Sequence, residues 1–213
     1  MFVYKNIIIS FLLFLMSNIL LAQNTELKKY YSNGVLKSVG NISTDSLPVG
    51  EWKYFYNTGQ LNLIANYVNN KLQGECTYYD IDGKLEAIEF WKEGYQDGIQ
   101  KYFSADGRIK KMGAFKNALF DGEWIFYHDN GKMKKKGNYH KGQPHGKWTF
   151  WYESGHISEE FHFVNGVENG LARFWDNDGN LVQEGEYLDA EPIGLWKFYK
   201  KGKLKKEKYF KKK

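Results

Sequence analysis

The stretch that decides the fold runs from Gly122 to His145 and reads GEWIFYHDNGKMKKKGNYHKGQPH. It opens with a short β-rich run, passes through the turn sequence His-Asp-Asn-Gly, and returns through a second run to Lys-Gly-Gln-Pro-His. Gly131 can adopt the positive φ that a tight hairpin turn requires. The stretch therefore predicts one β-hairpin, followed by a second short turn that leads into the next hairpin.

The same pattern recurs at a fixed step of 24 residues through most of the chain. A repeat array buries its apolar surface between neighbouring copies, so this period decides the fold class. We expect an all-β protein, an elongated single-layer antiparallel sheet of seven tandem hairpins and a leading partial copy, with about sixteen strands. The repeat glycines that mark the copies are Gly50, Gly74, Gly98, Gly122, Gly146, Gly170 and Gly194.

The position two residues after each repeat glycine is the main candidate for binding. Four copies place Trp there, whereas Cys76, Gln100 and Ala172 occupy it in the others. A single layer without helices cannot cover both faces, so some aromatic rings are solvent-exposed, buried by curling of the sheet, or covered by a partner. Exposed rings would bind a ligand, whereas buried rings would be the core of a thin sheet. We also expect the copies with Gln100 and Ala172 to pack less tightly. The candidate binding aromatics are Trp52, Trp124, Trp148 and Trp196.

The first 22 residues have the pattern of a secretory signal peptide. Lys5 precedes an apolar run over residues 7–21, and Ala22 supplies the small residue at the cleavage point before Gln23. The run is shorter than the roughly 20 residues that a membrane-spanning helix requires. We therefore expect an exported protein, periplasmic or secreted, whose repeat domain covers residues 23–213. An uncleaved N-terminal anchor is the alternative.

Charge is distributed unevenly along the chain. Residues 197–213 contain ten Lys and one acidic residue, whereas residues 23–196 carry 19 basic and 24 acidic side chains. A basic end can keep an edge strand from pairing with other chains, or it can contact an anionic membrane or polymer. We expect no nucleic-acid partner, because no recognition module accompanies the basic end. The candidate contacts with an anionic surface are Lys205, Lys206, Lys208, Lys211, Lys212 and Lys213.

The chain shows no recognisable catalytic or metal-binding motif. Its only cysteine, Cys76, stands in the Trp position and is predicted to be a small buried hydrophobe. Acidic residues such as Glu51 and Glu123 recur beside the repeat glycine, as expected of a structural position. The five histidines lack companions at ligand spacing. We therefore expect a non-enzymatic protein with no cofactor and no metal.

The unit G-x-W-x-x-Y-x-x-x-G-x-L, which ends in an aromatic residue before a short turn, resembles the MORN repeat variant. Its form of roughly 24 residues is similar to that of the YwqK family of bacterial antitoxins. The resemblance extends from about Tyr30 to Phe210. It implies an elongated sheet of hairpins that binds a protein, such as a toxin, or a lipid membrane. The expected function is a protein-binding surface or scaffold, and the alternative is an envelope-associated protein that binds lipid or anionic polymer.

Overall fold

A computed structural model describes residues 25–212, so Ala22, Gln23 and Lys213 lie outside the described residues. In the first half of this range the strands are β1 (Thr25–Tyr30), β2 (Leu36–Ile42), β3 (Pro48–Phe55), β4 (Leu61–Val68), β5 (Lys71–Leu72), β6 (Gly74–Tyr79), β7 (Leu85–Lys92), β8 (Tyr95–Gln96), β9 (Gly98–Phe103) and β10 (Ile109–Lys116). The second half contains β11 (Leu119–Tyr127), β12 (Met133–His140), β13 (Gln143–Trp151), β14 (Ile157–Val164), β15 (Val167–Glu168), β16 (Gly170–Trp175), β17 (Leu181–Leu188), β18 (Glu191–Lys200) and β19 (Lys203–Phe210).

All 19 strands belong to one antiparallel sheet whose spatial order follows the chain. Strand β1 pairs only with β2 and strand β19 only with β18, so the described sheet is open at both edges. The all-β hairpin-repeat prediction is confirmed. The structure has more strands than predicted because three of the predicted strands are each divided in two by one residue. These residues are Gln73, Asp97 and Asn169, and they separate β5, β8 and β15 from the strands that follow.

Each hairpin has a turn residue directly after its first strand, and at Asp80 and Tyr152 the side chain of this residue holds the turn. Asp80 accepts hydrogen bonds from the backbone N–H groups of Asp82 and Lys84, at 3.0 and 2.9 Å. Tyr152 instead donates its hydroxyl to the carbonyl of Trp175 in the next copy, at 2.8 Å. Gly131 has a φ of +83°, as its place in the turn predicts. The turns are therefore tied both internally and to the neighbouring copy.

The turn between copies is shorter than the sequence pattern indicates. Only Lys141 and Gly142 form it, with φ values of +50° and +82°, and Gln143, Pro144 and His145 already belong to β13. Two consecutive residues with positive φ match the twist of the flanking strands, which favours this two-residue turn. The longer turn predicted over Lys-Gly-Gln-Pro-His is therefore wrong, and the strands extend further towards this end.

Two of these turns place alanine where a left-handed backbone is required. Ala118 and Ala190 have φ values of +61° and +64°. Because a Cβ strains this conformation by about 1 kcal/mol, Ala118→Gly is expected to raise the free energy of unfolding by roughly that amount. Urea denaturation measures the change. Ala105→Gly, at an exposed residue without positive φ, is the control and should give no gain.

The repeat glycines lie within strands, as the β-rich run that opens at Gly122 predicts, but with a backbone conformation that the sequence pattern does not indicate. Gly122 has a φ of +67° inside β11. In the pairing of β10 with β11, Gly113 faces Trp124 while Ala114 faces Asp121, so Gly122 and Glu123 are extra residues on β11. A bulge of this kind bends the strand and favours glycine at its left-handed position. The bends recur with the period of the repeat.

Candidate functional site

One face of the sheet, here called the aromatic face, carries the tryptophans of the repeat. The four candidate binding residues are between 0 and 3% exposed. The Trp124 ring lies 4.4 Å from that of Phe120, 5.4 Å from that of Phe115 and 5.8 Å from that of Phe126, measured between centroids. These tryptophans are therefore the core of the sheet and are not accessible to a partner. Of the two alternatives, burial as the core of a thin sheet is the one that holds, and exposure as binding residues does not, because neighbouring aromatic side chains on the same face cover the four candidates: Trp52, Trp124, Trp148 and Trp196.

Each buried indole lies against a glycine that precedes it in the adjacent strand. A Cβ built on Gly137 would stand 2.1 Å from Cδ2 of Trp148, and one on Gly113 would stand 2.3 Å from Cδ2 of Trp124. Gly40 and Gly185 have the same relation to their tryptophans. Each indole also donates its N–H to a backbone carbonyl, such as that of Asn138 for Trp148 at 3.0 Å. The glycine thus makes room for the ring, and the carbonyl fixes its orientation.

Gln100 replaces Trp by reproducing its hydrogen bond. Its Nε2 donates to the Phe90 carbonyl at 3.0 Å, as the indole N–H does elsewhere, and its Oε1 accepts from the Phe90 N–H at 3.0 Å. The facing residue is Glu89, whose carboxylate accepts from Trp91 Nε1 at 3.2 Å and from the Tyr102 hydroxyl at 3.0 Å. Burial, followed by the nearby Glu89 charge, raises the pKa of Tyr102 above its usual range. Gln100 is fully buried, so the expected loose packing of this copy is wrong.

The missing indole at Ala172 is compensated by a large side chain on the paired strand. Phe161 stands where other copies have glycine, and its ring lies 5.3 Å from that of Phe174 and 6.1 Å from that of Tyr187. Trp124 contacts the equivalent neighbours, Phe126 and Tyr139, in its own copy. The Phe161 ring therefore occupies the space of the missing indole. Ala172 is 1% exposed, so this copy is closed as well. The predicted burial of Cys76 is also confirmed, and its partner there is Ala65.

The opposite face carries a ladder of ion pairs in the C-terminal half. Glu160 pairs with Lys147, and its other oxygen lies 3.9 Å from Arg173 Nη1. Arg173 Nε lies 3.3 Å from Glu184, which also accepts the Tyr199 hydroxyl at 2.8 Å. The Tyr199 hydrogen bond and Arg173 lower the pKa of Glu184. Exposed pairs contribute little individually, but this network links five strands, β13, β14, β16, β17 and β18, and favours their register.

Glu159 is an acidic residue on the aromatic face. It faces Phe150 on β13 and Phe174 on β16, and burial raises its pKa. A carboxylate with a raised folded-state pKa destabilises the fold while ionised, and this penalty disappears as the pH falls through that pKa. Glu159→Gln is therefore expected to raise the Tm at pH 7 by about 2 °C. The gain in Tm should vanish below pH 4.5, the ordinary pKa of a glutamate side chain. Thermal melts across this range check it, with exposed Glu153→Gln as the control.

Large apolar side chains are exposed beside the turns between copies. Tyr95, Leu119 and Val167 are 59%, 50% and 40% exposed, and each is the first strand residue after its turn. Adjacent turns touch, because Gly142 N–H donates to the Phe120 carbonyl at 2.8 Å. The exposed side chains lie along this end of the strands, here called the turn ridge, with Gln143 at the equivalent position between Leu119 and Val167. Its members are Val68, Tyr95, Leu119, Val164 and Val167.

The lysine-rich end forms the last edge strand. Lys205, Lys206 and Lys208 lie exposed on β19, which pairs only with β18. The Lys208 Nζ lies 4.2 Å from the Phe210 ring centroid, and Lys212 pairs with Asp189 at 3.1 Å. Lysines on an unpaired edge discourage pairing with another chain and also offer positive charge to an anionic surface. The structure is consistent with both readings of this end. Exposed Lys211 follows β19 directly.

The part of the chain that the structure describes contains no group of three or more His, Cys, Asp or Glu side chains placed to hold a metal ion. His140 and His145 lie on the two sides of one turn, with ring centroids 6.2 Å apart. His128 and His156 contact backbone carbonyls of the next copy, those of Trp151 and Asn177, each at 2.8 Å. These histidines therefore link hairpins. Among residues 25–212, no helix is long and apolar enough to cross a membrane.

Comparison with known proteins points to one repeat family. The profile of the family described as MORN repeat variant matches residues 23–42, 48–69, 120–141, 144–165 and 168–189, together just over half of the chain. No curated protein matches the chain. A similar solved structure, "Crystal Structure of TcdB2-TccC3-Cdc42", is 11% identical over 83% of this chain and 14% of that chain, with a TM-score of 0.18. The chain thus spans a small part of that chain's length, and so weak a likeness carries no argument.

Proposed function

The chain belongs to the MORN repeat variant family, and from this premise we propose that it is an exported, non-enzymatic protein that binds another protein through its turn ridge. The exposed apolar side chains of the turn ridge carry the proposal. Side chains such as Tyr95 and Leu119 repeat at one position of neighbouring copies and offer an apolar band, which Gln143 interrupts before Val167. Apolar bands of this kind on a soluble protein mark interaction sites.

The exported compartment rests on the signal pattern of residues 1–22. Neutralisation of a toxin by direct contact is one form that such binding takes, and the resemblance to the YwqK family supports it. A toxin partner would then act outside the cytoplasm. The gene beside this one is a direct source for the identity of such a partner.

Site-specific cross-linking in the native host tests the proposal. The full chain carries benzoylphenylalanine in place of Leu119 in the turn ridge. The control carries it in place of Ala105, an exposed residue at the hairpin turn, at the far end of the strands. We expect one discrete cross-linked product from position 119, and its loss when Tyr95→Asp is added. Equal products from both positions, or none from position 119, would contradict the proposal.

An envelope-associated function is the second candidate, and the exposed lysines of β19 favour it. Flotation with phosphatidylglycerol vesicles tests it on the full chain. If it holds, binding weakens as salt rises and is lost when Lys205, Lys206, Lys208, Lys211, Lys212 and Lys213 are all replaced by Gln. Binding that is absent, or that survives these replacements, would rule this candidate out.

A further inference from the structure

A groove on the aromatic face combines lysines with aromatic rings in a way that occurs in only part of the sheet. Lys111 faces Tyr102 on one side and Phe126 on the other, and Lys135 faces Phe126 and Phe150. Lysine and aromatic side chains therefore alternate strand by strand across β9 to β13. Those of β10 to β13, with Lys110, Lys134 and Tyr127, line an open groove of about 390 Å³. We call this the lysine–aromatic groove.

The lysine ammonium groups of this groove rest on the rings beside them. Lys111 Nζ lies 4.2 Å from the Tyr102 ring centroid, and Lys135 Nζ lies 4.4 Å from that of Phe126. Burial, followed by the neighbouring Lys134, lowers the pKa of Lys135. A desolvated ammonium gains more from an incoming carboxylate than a fully hydrated one does. Both ammonium groups are thus positioned on rings, and that of Lys135 is partly dehydrated, before any ligand arrives.

The charges of the groove have no internal counterpart. Within residues 25–212, no carboxylate oxygen lies within 4.0 Å of the ammonium groups of Lys110, Lys111, Lys134 or Lys135. The neighbouring Lys136 points to the opposite face and is paired with Glu123 at 2.8 Å. The sheet therefore neutralises a lysine on one face of β12 and leaves the groove lysines free.

The copies on either side do not carry this arrangement. The positions equivalent to Lys111 and Lys135 hold Leu63 and Ala87 before them and Glu159 and Gln183 after them, and a lysine returns only at Lys206 in the last hairpin. The fold does not require lysine at this position, since four other hairpins form with Leu, Ala, Glu or Gln there. Its presence in two adjacent copies is therefore a local feature of the surface and not a property of the repeat.

The spacing of the lysines selects the kind of anion that fits. Lys111 and Lys135 are two strands apart, roughly 10 Å, and the Phe126 ring lies between them. Their ammonium groups rest on different rings, so the pair presents two separate positive charges. An extended peptide places every second side chain on one side, so two acidic residues four positions apart stand about 13 Å apart with one side chain between them. Flexible Lys and Glu side chains span the remaining difference, and an apolar central side chain would lie on Phe126.

We propose that the lysine–aromatic groove binds an acidic peptide segment of a partner protein, in which two carboxylates flank an apolar side chain. Lys111 and Lys135 pair with the carboxylates, and Phe126 and Phe150 contact the apolar side chain. The inference rests on the proposed function, because the ligand is a segment of a partner protein. It adds a second binding surface to the turn ridge, one that recognises an acidic peptide.

Fluorescence anisotropy with a labelled peptide containing Glu-Gly-Phe-Gly-Glu tests the inference on the full purified chain. Lys111→Met with Lys135→Met keeps the apolar stems over the rings and removes both charges. We expect this pair to weaken binding at least about tenfold, since each lost charged contact alone can account for that factor. The matched control is Lys84→Met with Lys92→Met, two exposed lysines outside the groove, which should leave binding within about twofold.

Three results would overturn the inference. The first is that a Lys-Gly-Phe-Gly-Lys peptide binds as tightly as the acidic one. The second is that the control pair weakens binding as much as the groove pair. The third is that a ten-residue thymidine oligonucleotide or phosphatidylglycerol vesicles compete as well as the acidic peptide, which would assign the groove to phosphate. Cross-linking at Leu119 is an independent measurement of binding at the turn ridge. A failure of peptide binding in the groove can therefore be distinguished from a failure of the proposed function.

Discussion

Gly137→Ala is expected to lower the free energy of unfolding by at least about 3 kcal/mol, the upper end for an overpacked core. The added Cβ would lie 2.1 Å from Cδ2 and 2.3 Å from Cε2 of Trp148. Trp148 is buried against Tyr139 and hydrogen-bonded to the Asn138 carbonyl, so its ring cannot move aside without losing both contacts. Gly137 does not have positive φ, and backbone strain is therefore not the cause. Urea unfolding measures the loss.

The control places the same substitution where the indole is absent. In a Trp148→Ala background, adding Gly137→Ala should cost less than about 1 kcal/mol, because the Cβ then enters the space of the missing ring. A similar loss in both backgrounds would mean that Gly137 is required for its backbone and not for the approach of the indole.

Trp124→Ala is expected to lower the free energy of unfolding by about 4 kcal/mol, in the range for a large buried aromatic residue. The indole is fully buried between the rings of Phe115 and Phe120, and its N–H donates to the Ala114 carbonyl at 2.8 Å. Removing it leaves a cavity and an unpaired carbonyl. Denaturant unfolding gives the total loss.

Hydrogen exchange should place the loss of protection from Trp124→Ala in β10 to β12, because contacts in a repeat array are between neighbours. The control is Trp175→Ala, which removes a half-buried indole outside the glycine-facing position and should cost clearly less. Equal losses for the two variants, or a uniform loss of protection through the sheet, would contradict this account of the core.

The 24-residue period was sufficient to predict the hairpins, their antiparallel order and the turn at Gly131, because a recurring turn sequence between β-rich runs has few other solutions. It did not predict the role of Gly122, since glycine serves equally well in a turn and in a bulge. The length of the turn at Lys141 and Gly142 was misjudged for a related reason. Pro144 and its neighbours look like turn residues, but they are accommodated at the start of β13.

The burial of the tryptophans could have been found from the sequence by comparing residues eleven positions apart. Trp148 is preceded at that distance by Gly137, whereas Ala172 is preceded by Phe161, so large and small residues exchange places. The signal does not appear when residues at a single position of the repeat are compared, because the large and the small residue lie on different strands. The lysine–aromatic groove required the structure, since Lys135 and Lys136 are adjacent in the sequence but lie on opposite faces.

The central claim is that the four tryptophan copies and the Ala172 copy are each closed by a small and a large residue that fit together across two strands. The most direct test transplants the Phe161 and Ala172 pair into the preceding copy, as Gly137→Phe with Trp148→Ala. The flanking rings are already present, because Trp148 contacts Phe150 and Phe163 as Phe161 contacts Phe174 and Tyr187. Each single variant should lose at least about 3 kcal/mol. The double variant should unfold within about 1.5 kcal/mol of the original protein. Losses that simply add in the double variant would contradict the claim.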